Sequence, residues 1–223
     1  EEFKVQRYSK PISMMKLKDD DLVVDVSYDN KNNVFIATKN GYGLWYNTNE
    51  ISVIGLKAAG VKSINLKNDE VVSGILFDDN EEYISIITDK GTGKRLKLTD
   101  FEKGSRANRG LLLMKEIKSN PSKIVKVYIA NTKKEINIIT TKGIKTVKLN
   151  EMPIMDRYSN GSYVVKDKVS DVYMLENIKG KDDIDIFNDE EIVITDNQNN
   201  KTSLKEVDDR FMTIDDLLDN IEK

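Results

Sequence analysis

The chain has 223 residues, of which 33% are charged, with a formal net charge of −3 and neither histidine nor cysteine. That composition removes the imidazole base, the thiolate nucleophile, the disulfide and the usual Cys/His zinc site, so the chain is expected not to be an enzyme on its own and to carry no cofactor. No apolar run approaches the ~18 residues of a membrane span, and no charged-then-apolar leader opens the chain, so no membrane contact and a cytoplasmic location are expected.

In chain order, residues 22–26 and 34–37 are β-branched or aromatic runs bounded by Asp/Asn clusters and predict strands. The turn Lys39-Asn40-Gly41 then leads to a further strand at 43–46. The same succession follows at 71–77 and 83–88 with the turn Asp89-Lys90-Gly91, and again at 124–130, 136–140 and 144–149 around Thr141-Lys142-Gly143. Each glycine is expected at positive φ in a hairpin. A fourth, weaker set keeps a strand at 192–195, but residues 196–200 are a polar turn with no glycine. Thr213 and Asp216 resemble a capping box, and Ile214, Leu217, Leu218 and Ile221 fall at helical spacing, so a short helix is expected near residue 223.

These elements recur at about fifty residues. Thr-x-x-Gly stands at 38–41, 88–91 and 140–143. An acid followed by an apolar residue closes each unit, at Glu2-Phe3, Glu50-Ile51, Asp100-Phe101, Glu151-Met152 and Glu206-Val207. A loop then leads to Lys18, Lys67, Lys118 and Lys168, in steps of 49, 51 and 50. Such regularity predicts an all-β, propeller-like array of about four four-stranded blades, with units at about 3–51, 52–101, 102–152 and 153–207, followed by an acidic tail at 208–223. Glu2-Phe3 closes a unit whose body is not in the sequence, so the chain is expected to be a piece of a longer protein.

Charge is uneven. Residues 101–150 hold 12 basic and 3 acidic side chains, whereas 182–223 hold 4 basic and 14 acidic ones. A basic stripe on a repeat solid is the footprint of a surface that neutralises nucleic-acid phosphates, although a solvated lysine face gives the same count. The acidic tail is expected either to screen that surface, or to serve solubility or extend and close a blade. Gly91-Thr92-Gly93-Lys94-Arg95 lacks the lead and the strand-to-helix turn of a phosphate loop. Residues 196–200 lack the central Gly and bidentate Glu of a calcium loop. Tyr42, Trp45 and Tyr46 could stack on bases but are expected to serve as blade packing.

The phrases Arg7-Tyr8-Ser9-Lys10-Pro11, Lys39-Asn40-Gly41-Tyr42-Gly43-Leu44, the run from Lys57-Ala58-Ala59-Gly60 to Lys67, and Ser105-Arg106-Ala107-Asn108-Arg109-Gly110 resemble the C-terminal DNA-binding domain of bacterial type IIA topoisomerase A subunits. Topoisomerase IV of the Gram-positive kind is the first match and gyrase the next. The resemblance covers residues 1–168 well. It implies a β-pinwheel of five or six blades with strands exchanged between neighbours, so that one or two blades precede Glu1.

The same resemblance implies a non-catalytic domain that binds and bends duplex DNA and presents it for decatenation and supercoil relaxation. The catalytic tyrosine would lie in an N-terminal breakage-reunion domain and ATP hydrolysis in a partner B subunit. Gyrase members carry a basic box of outline Gln-Arg-Arg-Gly-Gly-Lys-Gly. Residues 105–110 lack its glutamine and glycine pair, which favours topoisomerase IV over gyrase and its wrapping for negative supercoiling. A protein-binding propeller that meets an acidic partner is the alternative from another class.

Arg106, Arg109, Lys115 and Lys118 are the first candidates for DNA contact, because they lie in the basic segment within the loop that repeats between blades. Arg7, Lys10, Lys57, Lys62 and Arg157 occupy similar places in other units. Each taken singly is equally a solvated charge or the partner of a nearby acid.

Overall fold

The structure is a computed structural model that describes residues 15–18, 20–27, 30–55, 58–115, 117, 119–174, 194–195 and 201–202. The chain forms two compact units, Glu1–Glu176 and Asn177–Lys223. In the second, the described residues are β12 (Ile194–Thr195) and β13 (Lys201–Thr202), which pair antiparallel. The expected polar turn at 196–200, the tail and its helix lie outside the described residues.

The first unit is built on three hairpins that start from the repeated phrase. β1 (Asn33–Thr38) pairs with β2 (Tyr42–Asn47), β4 (Tyr83–Thr88) with β5 (Thr92–Lys97), and β8 (Glu135–Thr140) with β9 (Gly143–Lys148), all antiparallel. The Thr-x-x-Gly phrase makes each turn. Thr38 Oγ1 accepts from the Tyr42 N–H (3.0 Å), Thr88 Oγ1 from the Thr92 N–H (3.3 Å), and Thr140 Oγ1 from the Lys142 N–H (3.2 Å). The turn glycines Gly41, Gly91 and Gly143 all have positive φ, as expected. The closing markers are single 3-10 turns, Thr48–Glu50, Leu98–Asp100 and Leu149–Glu151. The apolar residue that follows each turn bonds its N–H back to the turn's first carbonyl.

Each sheet is completed by strands from later repeats. β3 (Val71–Phe77) flanks β1, and β6 (Leu111–Leu112) flanks β2, giving the order β3-β1-β2-β6. The second blade repeats this as β7-β4-β5-β10, with β7 (Ile124–Tyr128) and β10 (Ser162–Tyr163). The third is β11-β8-β9, with β11 (Val169–Met174). Fifty-residue units therefore describe the sequence, while each sheet crosses their boundaries. β1 and β4 are buried along almost their whole length because both of their faces are covered, whereas β8 is buried at alternate residues. On β1, Phe35 and Ala37 meet Ile84, Ile86 and Leu96 of the second blade, while Val34 and Ile36 pack on the other side with Leu44, Tyr46 and Ile64. Ile87 turns instead to Ile136, Ile138 and Val172 of the third blade. Burying side chains of this size contributes roughly 1.5–3 kcal/mol each.

One expected strand is absent. Residues 22–26 form no ladder, and Leu22 and Val26 are 85% and 86% exposed. The segment is tethered instead through Asp25, whose carboxylate accepts from the Gly74 N–H on β3 and from Lys126 Nζ on β7, both at 2.8 Å. Two other strands end earlier than expected, β7 at Tyr128 and β9 at Lys148, where Leu149 enters its 3-10 turn. Among the described residues no helix is long and apolar enough to cross a membrane.

Candidate nucleic-acid interface

Strand order fixes inside and outside in the first unit. β3 lies beside β7, and β7 beside β11, so these strands are innermost, while β6 and β10 are the outer strands of their sheets. The residues that lead into β6 and β10, 104–110 and 155–161, are the loop repeated in the sequence. That loop therefore lies on the outer rim.

The innermost strands line a groove of about 770 Å³. Four carboxylates, Asp25, Asp78, Glu81 and Asp171, meet three lysines in its lining, with Lys126 paired to Asp25 (2.8 Å) and Lys31 to Asp78 (2.6 Å). Tyr128 donates to the Val172 carbonyl there (3.0 Å), and burial pushes its phenol pKa well up, helped by Asp171 and Asp25. A groove with both signs paired offers little to a polyanion. Among the described residues no group of carboxylates is placed to hold a metal ion.

On the first rim loop, Arg106 joins two stretches of chain. Its backbone N–H donates to Glu50 Oε2 (2.8 Å), Nε to the Glu50 carbonyl (2.7 Å) and Nη1 to the Lys62 carbonyl (2.6 Å). Arg109 lies over the Tyr42 ring at 3.9 Å and reaches the Leu66 carbonyl at 3.4 Å. Backbone bonds from Ala107 to Ser63 and from Asn65 to Asn108 complete the seam. Both arginines thus fasten loop 104–110 to residues 50–66, a role the repeat pattern does not reveal. Lys62, on the seam, and Lys115, three residues beyond β6, are exposed.

The second rim loop is held differently. Lys94 of β5 is buried, and its Nζ donates to the carbonyls of Asp156 (2.8 Å), Arg157 (3.0 Å) and Ser159 (2.6 Å). Burial pushes its ammonium down to about 8, the Asp156 carboxylate pulls it back, and the Arg157 guanidinium adds to the fall. Arg95 lies over Tyr83 and donates to the Met152 and Asn150 carbonyls. Asp156 Oδ1 accepts from the Tyr158 and Ser159 N–H groups (2.8 and 2.9 Å), an Asx turn that shapes the loop tip. Arg157 sits 5.6 Å from the Tyr158 ring.

Of the nine cations singled out in the sequence, the first unit brings Lys62, Arg106 and Arg109 to one rim loop and its seam, places Lys115 three residues beyond β6, and places Arg157 on the next rim loop. Arg7, Lys10, Lys57 and Lys118 lie outside the described residues. The repeat pattern does not single out Lys94 or Arg95 as loop anchors. Alternation supplies a signal for Lys94, since it shares the inward face of β5 with Leu96 and occupies the place that Leu44 fills in the first blade. The aromatic expectation holds for Tyr46, which is buried with its hydroxyl bonded to Ser63, and for Trp45, whose indole donates to Asn33 (3.0 Å) beside Phe77.

Comparison with known proteins agrees with this architecture. The family described as DNA gyrase C-terminal domain, beta-propeller, matches residues 1–27, 32–77 and 82–131. The DNA topoisomerase 4 A subunit of Bacillus subtilis (strain 168) is 40% identical over 171 residues, covering 75% of this chain and 21% of that protein. Its counterpart from Staphylococcus aureus (strain MRSA252) is 34% identical over 165 residues, covering 73% and 21%. The chain therefore spans about a fifth of these relatives' length. The crystal structure of the C-terminal domain of DNA topoisomerase IV superposes with a TM-score of 0.72 at 42% identity, over 78% of this chain and 56% of that one. The DNA gyrase A C-terminal domain shares the fold, with a TM-score of 0.64 at 18% identity over 74% and 58%. With a family match over more than half its length and sequence identity of 40% to a topoisomerase IV A subunit, the all-β chain belongs to the family of DNA gyrase C-terminal domains, beta-propeller, whose fold is the β-pinwheel.

Proposed function

We propose that this domain is the non-catalytic, DNA-binding and DNA-bending part of a bacterial topoisomerase IV A subunit. It holds duplex DNA on its outer rim and presents it to the strand-passage core for decatenation and supercoil relaxation. The observation that carries this reading is the position of the repeated loop. The topology sets it on the outer edge of successive blades, beside exposed Lys62 and with half-buried Arg157 on the second loop, while in the innermost groove Lys31 and Lys126 are paired to Asp78 and Asp25. Phosphate contacts of this kind are indifferent to sequence and release counterions, as a domain that handles any chromosomal segment requires.

Bending follows from the curvature of the rim. A duplex that touches consecutive rim loops follows a convex surface, and bending it by 40–90° over 20–30 base pairs costs on the order of 1–6 kcal/mol, offset by the added contacts. Strand cleavage and ATP hydrolysis belong, on this reading, to the breakage-reunion domain and the B subunit of the intact cytoplasmic enzyme. The absence of the gyrase-type basic box from residues 105–110, together with 40% identity to a topoisomerase IV A subunit, favours that enzyme over gyrase. The test is energy transfer between dyes at the two ends of a duplex shorter than the persistence length of about 150 base pairs. Adding the chain brings the ends closer if it bends DNA. A propeller that binds an acidic protein leaves the end-to-end distance unchanged.

A further inference from the structure

The two rim loops carry arginines at equivalent positions, Arg106 and Arg157, one repeat apart, yet only the first is a fastener. In the first blade the loop is held by its own arginines, through the Glu50, Lys62 and Leu66 carbonyls and the Tyr42 ring. The strand beneath contributes the Tyr42 ring and the Trp45 carbonyl, while at the position of Lys94 it carries Leu44, which is packed in the core. In the second blade the strand beneath supplies Lys94, 2% exposed, and all three N–H groups of its ammonium have a carbonyl of the loop within reach. Asp156 fixes the same loop from within through the Tyr158 and Ser159 amides. Arg157 is thereby relieved of any fastening role. Its guanidinium contacts, among the described residues, the ring of Tyr158, itself 61% exposed.

We infer that Lys94 is a positioning residue that takes over the work of the arginine clasp from below, and that it makes Arg157, ahead of Arg106 and Arg109, the rim-loop arginine available to a DNA phosphate. The inference rests on the DNA-binding reading above. Charge-assisted bonds to three carbonyls set the loop backbone before DNA arrives, so less ordering entropy opposes the contact. The guanidinium is then presented on a fixed base rather than on a loop that must be ordered by the ligand.

The experiment is a titration of a fluorescent duplex with the whole chain across a salt series, using wild type, Arg157→Ala, Arg106→Ala, Lys94→Met and the Lys94→Met/Arg157→Ala double variant. Arg157→Ala is expected to weaken binding several-fold and to reduce the steepness of the log K against log salt line by about 0.9, the loss of one phosphate contact. Arg106→Ala leaves that slope unchanged. Lys94→Met weakens binding several-fold, and in its background Arg157→Ala has no further effect. Independent, multiplicative effects of Lys94→Met and Arg157→Ala, or a slope change in Arg106→Ala instead of Arg157→Ala, would overturn the inference. Should Lys94→Met fail to fold, as judged by circular dichroism, the Arg157 and Arg106 slopes decide the ranking and Lys94→Gln replaces it in the cycle. Absence of duplex binding by wild type would instead defeat the DNA-binding reading itself.

Discussion

Gly110 lies so close to Gly43 that a Cβ on Gly110 would stand 2.1 Å from the Gly43 carbonyl oxygen, and one repeat later Gly161 meets Gly93 in the same way at 2.7 Å. Both loop glycines have φ of 82°. The rim loop is thus laid backbone to backbone on the second strand of its blade, immediately before β6 or β10 joins that strand. Gly110→Ala combines a left-handed backbone with a steric clash and is expected to cost about 2–4 kcal/mol. Chemical denaturation checks this, with Gly55→Ala as the control. A Cβ at Gly55 meets nothing within 4 Å, so that variant should stay within about 0.5 kcal/mol of wild type.

Lys94 gives the domain a pH dependence of definite sign. Its folded pKa of about 8 lies below the ordinary 10.5, so between these values the unfolded chain binds more protons than the folded one. Stability contributed by this group therefore rises with pH across that window, as the cost of burying the ammonium is relieved, by about 3–4 kcal/mol at most. The difference in unfolding free energy between wild type and Lys94→Met, followed from pH 7 to pH 10.5, should show the rise. A flat difference would mean that the buried amine titrates normally.

Arg106 and Lys115 separate stability from binding. Arg106 is half-buried and bridges two carbonyls, so Arg106→Ala should lower stability by about 1–2 kcal/mol. Lys115 is exposed, and Lys115→Glu should leave the unfolding midpoint within about 0.5 kcal/mol of wild type. On the proposed function, Lys115→Glu combined with Lys62→Glu weakens DNA binding equally for unrelated sequences, measured by parallel titrations with two duplexes.

The sequence makes the hairpins legible because Thr-x-x-Gly and the acid-apolar marker are local devices, each satisfied within a few residues, as at Thr38 and Ile51. Strand exchange is not local. Nothing near residues 22–26 tells whether a neighbouring strand is there to pair with them, and an apolar run that reads as a strand is found unpaired and exposed. The candidate cations divide in the same way. Their recurrence in the rim loop is visible as a pattern, but the fastening roles of Arg106, Arg109 and Lys94 arise from carbonyls 43 to 65 residues distant. Lys94 stands where a leucine is found one blade earlier, and the pattern shows the exchange without the geometry that gives it meaning.

The central claim is that the rim holds duplex DNA through phosphates. Fluorescence anisotropy of a labelled duplex titrated with the whole chain, repeated from low to physiological salt, tests it directly. The account predicts measurable affinity at low salt, a linear fall of log K with log salt whose slope is about 0.9 per phosphate contacted, and the same line for two unrelated sequences. No binding at low salt, or affinity insensitive to salt, would contradict it.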